Sequence, residues 1–208
     1  MHQPVISLIG MGIGGLDGLS AKARAAVAEA SLLIGHPRHL ALFPDHGGET
    51  VPLGSLPDLV HLLETTTKKA AVLASGDPLY FGIGRFLLQR LPKERISVFS
   101  NVSSVQYAFS LIKEPWDDAL VLSVHGRELS AVLEQVLAAP KVCLLTDRTN
   151  TPQGIARALV QRTSGRYDAW LCEDLGMETQ RCTRTDLHGL ATCSCSDLNL
   201  LILLRRSS

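Results

Sequence analysis

Three glycines near the start of the chain, Gly10, Gly12 and Gly15 in "LIGMGIGG", have the G-x-G-x-x-G spacing that seats a dinucleotide pyrophosphate on a helix N-terminus. A second loop, "SGDPLYFGIG", sets Ser75, Gly76, Asp77 and Pro78 after an apolar run. Gly76 lets the backbone approach a ligand, and Asp77 is a candidate general base. Ser103 and Ser104 in "FSNVSSVQYAF" can cap a helix while offering hydroxyls to a ligand. His125, Gly126 and Arg127 in "LSVHGRELS" supply a further candidate base and a cation. His36 and His39 form an H-x-x-H, but no third clustered ligand accompanies them, so no protein-bound metal is expected.

The glycine fingerprint fails two tests. A dinucleotide turn starts its helix inside the motif, whereas here Ser20 is the good N-cap, ahead of "AKARAAVAEA", and Gly18 interrupts any earlier start. It also needs an acidic residue about 20 positions on for the ribose hydroxyls. "ASLLIGHPR", ending at Arg38, has none. Arg38 can meet a 2′-phosphate, so an NADP-linked oxidoreductase stays open as an alternative, as does a turn that merely needs glycine. No Gly-Lys-Ser or Gly-Lys-Thr follows, which excludes a P-loop kinase or GTPase.

The elements that must position these residues follow from hydrophobic patterning. Strand-like "VISLIG", "SLLIG", "AAVLASG" and "ISVFS" alternate with the helical patterns "SAKARAAVAEA", "SLPDLVHLLETT", "FGIGRFLLQRL" and "SSVQYAFSLI". This is the signature of a mostly parallel α/β sheet, whose ligands bind beyond the carboxyl ends of the strands. The marked loops all occupy that position. "KEPWDD", Lys113 to Asp118, interrupts the alternation and predicts a division into α/β domains 1–114 and 115–208. In the second, "ALVLSV" and "KVCLLT" alternate with helical "SAVLEQVLAA" and "TPQGIARALVQRT". "YDAWLCE", "QRCTRTD" and "LNLLILL" then follow without long helices, which predicts an antiparallel edge.

Composition narrows the partners. The 208 residues are 46% hydrophobic, with Lys plus Arg equal to Asp plus Glu at 20 each. No overall field draws nucleic acid or an anionic membrane. The five cysteines pair in no C-x-x-C, "MHQPVISLIG" lacks a signal-peptide pattern, and "LNLLILL" is too short to span a bilayer. A cytoplasmic protein is expected, and the Asn101-Val102-Ser103 glycosylation acceptor is expected to be inert. Cys193 and Cys195 would face opposite ways in a strand.

The opening "LIGMGIGGLDGLS", the "SGDPLYFGIG" loop, "NVSSVQYAF" and the late "EDLGMETQ" together resemble the tetrapyrrole (corrin and porphyrin) methylases, over nearly the whole chain. "LIGHPRHL", "NVSSVQYAFSLIKEPWDDALVLSVHGR" and "LTDRTNTPQGIARAL" are similar to the branch that methylates C5 of a precorrin in cobalamin biosynthesis. The resemblance implies two dissimilar α/β domains with S-adenosylmethionine in the cleft between them, S-adenosylhomocysteine as product, and a homodimer. It places the cofactor against Gly76, Asp77, Leu79, Phe81, Ser104 and Leu145. Gly12 and Gly14 would then line the tetrapyrrole side. Arg38, Arg85 and Arg127 are candidates for the substrate's acetate and propionate groups, and His125 or Asp77 for the base that removes the C5 proton. Any cobalt belongs to the substrate.

The chain departs from the family where many members have Pro-Gly before the serine pair, since Ser100 and Asn101 stand there. Some relatives carry a fused C15-methylating, decarboxylating domain. With the sequence ending at Ser208, that activity is expected in a separate protein. A diphthine synthase or a ribosomal RNA methyltransferase would share the fold, but the lack of a basic surplus counts against RNA. A scaffold of the same fold would bind neither methyl donor nor nicotinamide nucleotide.

Overall fold

The computed structural model describes residues 6–126, 128–163 and 167–206. The chain divides into two compact units, Met1–Ser103 and Ser104–Ser208. The first contains β1 (Ile6–Gly10), α1 (Ala21–Ala28), β2 (Leu32–Gly35), α2 (Pro37–Leu40), β3 (Glu49–Pro52), α3 (Leu56–Thr65), β4 (Ala70–Ala74), α4 (Ile83–Leu88) and β5 (Ile96–Phe99). Its sheet has the order β3-β2-β4-β1-β5, with every pairing parallel.

Central strands of this sheet are apolar on both faces, as a parallel sheet covered on both sides requires. Ile6, Leu8, Leu32, Ile34, Ala70 and Val72 pack with Leu59 and Leu63 of α3 and Leu87 of α4. The alternate residues Ile9, Leu33, Ala71 and Leu73 pack with Ala23 and Val27 of α1. Ser20, Ser55 and Thr151 cap their helices as their types predict, accepting the amides of Ala23, Asp58 and Gly154. Strand β3 escapes the sequence reading because "ETVP" is a short, mostly exposed edge with a terminal proline, and such edges carry little pattern.

The second unit contains α5 (Ser104–Ile112), β6 (Leu120–Ser123), α6 (Leu129–Ala138), β7 (Lys141–Leu145), α7 (Pro152–Val160), β8 (Tyr167–Glu173), β9 (Arg181–Asp186), α8 (Leu187–Thr192) and β10 (Asn199–Arg205). Its sheet order is β6-β7-β10-β8-β9. Only β6–β7 is parallel; β10 inserts antiparallel between β7 and β8, and β8–β9 is antiparallel too. Antiparallel pairing is thus most of the sheet rather than an edge, because the last strand returns to its centre. Cys193 and Cys195 follow α8 outside any strand, and both pack against the core of this unit. All five cysteines are free, with Cys172 and Cys182 facing each other across β8–β9 at 2.7 Å between sulfurs.

The division expected between residues 114 and 115 lies one helix beyond the contact boundary, because α5 contacts β9 and so belongs to the second unit. "EPWDD" wraps the start of β7. Lys141 Nζ donates to Glu114 Oε1 and Asp118 Oδ1, each at 2.8 Å, and to the Pro115 carbonyl at 2.7 Å. Burial alone pulls this ammonium down, but the carboxylates reverse that and hold it above its ordinary range. No described helix is long and apolar enough to cross a membrane.

Candidate cofactor and substrate site

The parallel sheet brings the ends of β2, β4, β1 and β5 side by side, so the loops that follow them share one edge. Met11 donates its amide to the Ala74 carbonyl at 2.8 Å, and Gly12 donates to the Gly76 carbonyl at 3.1 Å in an isolated antiparallel bridge. The first two amides of the glycine turn, those of Met11 and Gly12, are therefore spent within the protein. With the helix start at Ser20 and no acidic partner, the NADP reading loses its chemistry.

What ties these loops together is Asn101, which the sequence marks as a glycosylation acceptor and as a departure from the family but not as a structural tie. Its Nδ2 donates to the Gly10 carbonyl at 2.9 Å and to the Gly18 carbonyl at 3.1 Å, and its Oδ1 accepts from Val102 at 2.8 Å. Gly12, at φ +61°, makes room for it; a Cβ there would stand 2.5 Å from Asn101 Cγ. The glycosylation acceptor's amide is thus bound into the fold. Asp77 joins the same seam, since Oδ1 accepts from Leu79 at 2.8 Å and Oδ2 from Asn101 at 3.2 Å. Both carboxylate oxygens hold backbone, which is the arrangement of a loop-positioning residue.

The second loop then folds back on itself, with the Gly84 amide donating to the Pro78 carbonyl at 2.8 Å. Leu79 and Phe81 stand out from it, 51% and 47% exposed, and Phe81 takes a left-handed φ of +53°. A non-glycine residue held there costs on the order of 1–3 kcal/mol and such strain collects at ligand sites. Two exposed apolar side chains at a strand-end loop can receive an aromatic ring and an aliphatic chain, chemistry that S-adenosylmethionine carries in its adenine and in the methylenes beside its sulfonium.

Arg38, beyond β2, reaches the same loop. Its Nη2 donates to Ser75 Oγ at 2.9 Å and its Nε to His39 Nε2 at 3.3 Å, while its amide donates to His36 Nδ1 at 3.3 Å. Gly14 is exposed in the opening loop, its carbonyl accepting from Gly18, and Arg85 is exposed on α4. These two are not tied to Asp77 or Arg38 by any hydrogen bond among the described residues.

His39 is buried, and burial first, then the Arg38 and His36 charges, push it down to about 4. An unfolded imidazole titrates near 6.5, so between these values the unfolded chain binds the extra proton. Stability is therefore full above about pH 6.5 and is lost as pH falls towards 4, by at most about 3 kcal/mol. Urea midpoints of the parent at pH 7.5 and 4.5 should differ more than those of His39→Leu.

In the second unit, His125 is exposed beyond β6, its amide and Nδ1 each 3.4 Å from Ser123 Oγ. Leu145 ends β7 and its carbonyl accepts from Val124 at 3.0 Å. The Asp147 carboxylate, unremarked in the sequence, accepts from Asn150 at 2.6 Å, Thr149 at 2.8 Å and Gly126 at 3.0 Å. These amide donors, that of Asn150 foremost, hold it below the ordinary carboxylate range. Asn150 Nδ2 donates to the Val124 carbonyl at 2.8 Å, so Asp147 and Asn150 clasp the loops after β6 and β7 as Asp77 and Asn101 clasp those of the first unit. Ser104 opens α5, and Arg127 lies outside the described residues. Among the described residues no cluster of three His, Cys, Asp or Glu could hold a metal ion.

Comparison with known proteins agrees with this geometry. Residues 5–191 match the family model "Tetrapyrrole (Corrin/Porphyrin) Methylases". A cobalt-precorrin-7 C(5)-methyltransferase of Salmonella typhimurium is 36% identical over 85% of this chain and 88% of its own. A precorrin-6Y C(5,15)-methyltransferase [decarboxylating] of Sinorhizobium sp is 32% identical over 87% of this chain and 45% of its own. Among solved structures, precorrin-6Y methylase from Archaeoglobus fulgidus has a TM-score of 0.74 at 21% identity, covering 98% of this chain and 99% of that one. A uroporphyrin-III C-methyl transferase from Thermus thermophilus complexed with S-adenosylhomocysteine has a TM-score of 0.76 at 21% identity, covering 96% of each. Parallel sheet, strand-end loops and sequence match agree, and the chain belongs to the tetrapyrrole (corrin/porphyrin) methylase family.

Proposed function

We propose that this protein is an S-adenosylmethionine-dependent C-methyltransferase that adds a methyl group to C5 of a precorrin, with or without cobalt, in cobalamin biosynthesis. The observation that carries this reading is the 36% identity, over 181 residues, to a protein named for that reaction. S-adenosylmethionine supplies an electrophilic methyl group when bound. Leu79 and Phe81 cover its apolar parts, with the Gly76 backbone alongside and Asp77 fixing the loop that carries them. The resemblance assigns Ser104 and Leu145 to the cofactor as well, and Gly12 and Gly14 to the tetrapyrrole side.

Arg38, Arg85 and Arg127 take carboxylates of the tetrapyrrole, which the planar guanidinium fork matches in a bidentate way. The acceptor's ring nitrogens push electrons to the meso carbon, so the chain's main task is alignment, which can supply about 7–11 kcal/mol of a barrier. His125 is the base that takes the C5 proton after transfer, because the Asp77 carboxylate is engaged by backbone amides. The protein works in the cytoplasm as a homodimer, and a separate protein carries out C15 methylation with decarboxylation.

The test is incubation with S-adenosylmethionine bearing a deuterated methyl group and precorrin acceptors with and without cobalt, followed by mass analysis. A single labelled methyl on one acceptor is expected; no gain on either sinks the assignment.

A further inference from the structure

We propose that His39 is a positioning residue, which accepts the Arg38 Nε–H as a neutral ring and so aims the guanidinium, anchored on Ser75, at a substrate carboxylate. This rests on the proposed carboxylate-rich tetrapyrrole acceptor. The protein partners of the Arg38 guanidinium are Ser75 Oγ and His39 Nε2, neither of them a carboxylate. No carboxylate lies within 4.0 Å of it among the described residues, unlike Arg181 on Glu173 or Arg184 and Arg206 on Asp168. A guanidinium has five N–H donors, of which His39 and Ser75 take one each, leaving Nη1 and one Nη2 hydrogen for a bidentate anion. An acidic residue at position 39 would orient Arg38 equally well but would cancel its charge. A neutral imidazole orients it and leaves the charge for the ligand.

His39 is a poor choice on structural grounds alone. His39 is 8% exposed, and with Nε2 accepting, the proton sits on Nδ1, a buried atom with no hydrogen-bond partner. A buried donor without an acceptor weakens a fold, so an apolar side chain would pack there at no loss. The low position of its titration agrees with a ring that stays neutral.

The discriminating experiment uses the full chain with His39→Leu, His39→Gln, Arg38→Ala and the double variant Arg38→Ala/His39→Leu, measuring methyl transfer, S-adenosylhomocysteine affinity and melting temperature. His39→Leu should raise KM for the precorrin about tenfold, with kcat, S-adenosylhomocysteine affinity and melting temperature held or raised. His39→Gln, whose side-chain oxygen can accept the same N–H, should recover most of the loss. In the Arg38→Ala background His39→Leu should add nothing. An unchanged KM in His39→Leu overturns the proposal, as does an undiminished effect without Arg38. Should the parent methylate no precorrin, binding of uroporphyrin III by fluorescence quenching decides separately. Weaker binding by His39→Leu that vanishes without Arg38 supports the proposal, and equal binding overturns it.

Discussion

Gly10→Ala is expected to lower kcat/KM on the order of a hundredfold, the size of effect that follows when a reacting group is displaced by about 1 Å. A Cβ on Gly10 would stand 2.7 Å from the Gly76 carbonyl oxygen and 2.9 Å from Pro78 Cδ. These are backbone and ring atoms that cannot swing aside, so the Asp77 loop must move off the end of β1. The fold should lose about 3 kcal/mol, as for overpacking against rigid neighbours. Gly15→Ala is the contrast. Gly15 has φ +55° but nothing within 4 Å of an added Cβ, so only the left-handed backbone cost of about 1–2 kcal/mol applies. A dinucleotide turn would make the opposite demand at its third glycine, which must pack against the sheet. Steady-state kinetics and melting curves of the two variants therefore separate the readings of the same fingerprint.

Asn101→Ala should lower stability by about 2–3 kcal/mol, since it deletes the bonds to Gly10, Gly18 and Val102 at about 1 kcal/mol each. For a chain of this size that is a melting-temperature drop of about 5–10 °C. Asn101→Asp should be worse than Ala although it is nearly isosteric, because a carboxylate oxygen would face the Gly10 and Gly18 carbonyl oxygens. S-adenosylhomocysteine affinity should fall with stability in both, as the loops after β1 and β5 lose their side-chain tie while the backbone bond from position 101 to Asp77 remains. An Asp variant more stable than Ala would contradict this account of the seam.

Sequence patterning located most of the elements because the chemistry there is local. β4 is an unbroken apolar run, and Ser20, Ser55 and Thr151 announce their helices within three residues. Short elements escaped: α2 has four residues, and α8 holds Gly189 in a six-residue helix. The strand-end rule found the loops, yet not what holds them. Asn101 meets Gly10 across 91 positions, Arg38 meets Ser75 across 37, and Asp77 meets Asn101 across 24. No periodicity encodes such pairs, so Asn101 read as an anomaly and Asp77 as a general base, whereas Asp147 and Asn150 stood only inside a segment that resembles the family, with no role of their own. A polar side chain flanked by glycine loops at successive strand ends is the one clue that would have raised Asn101.

The central claim, methyl transfer to C5, is tested most directly by locating the new carbon. S-adenosylmethionine enriched with carbon-13 in its methyl group, incubated with the full chain and the precorrin acceptor, should give a product whose single enriched methyl is bonded to C5 by two-dimensional NMR. Enrichment at another ring position, or none, would contradict the account.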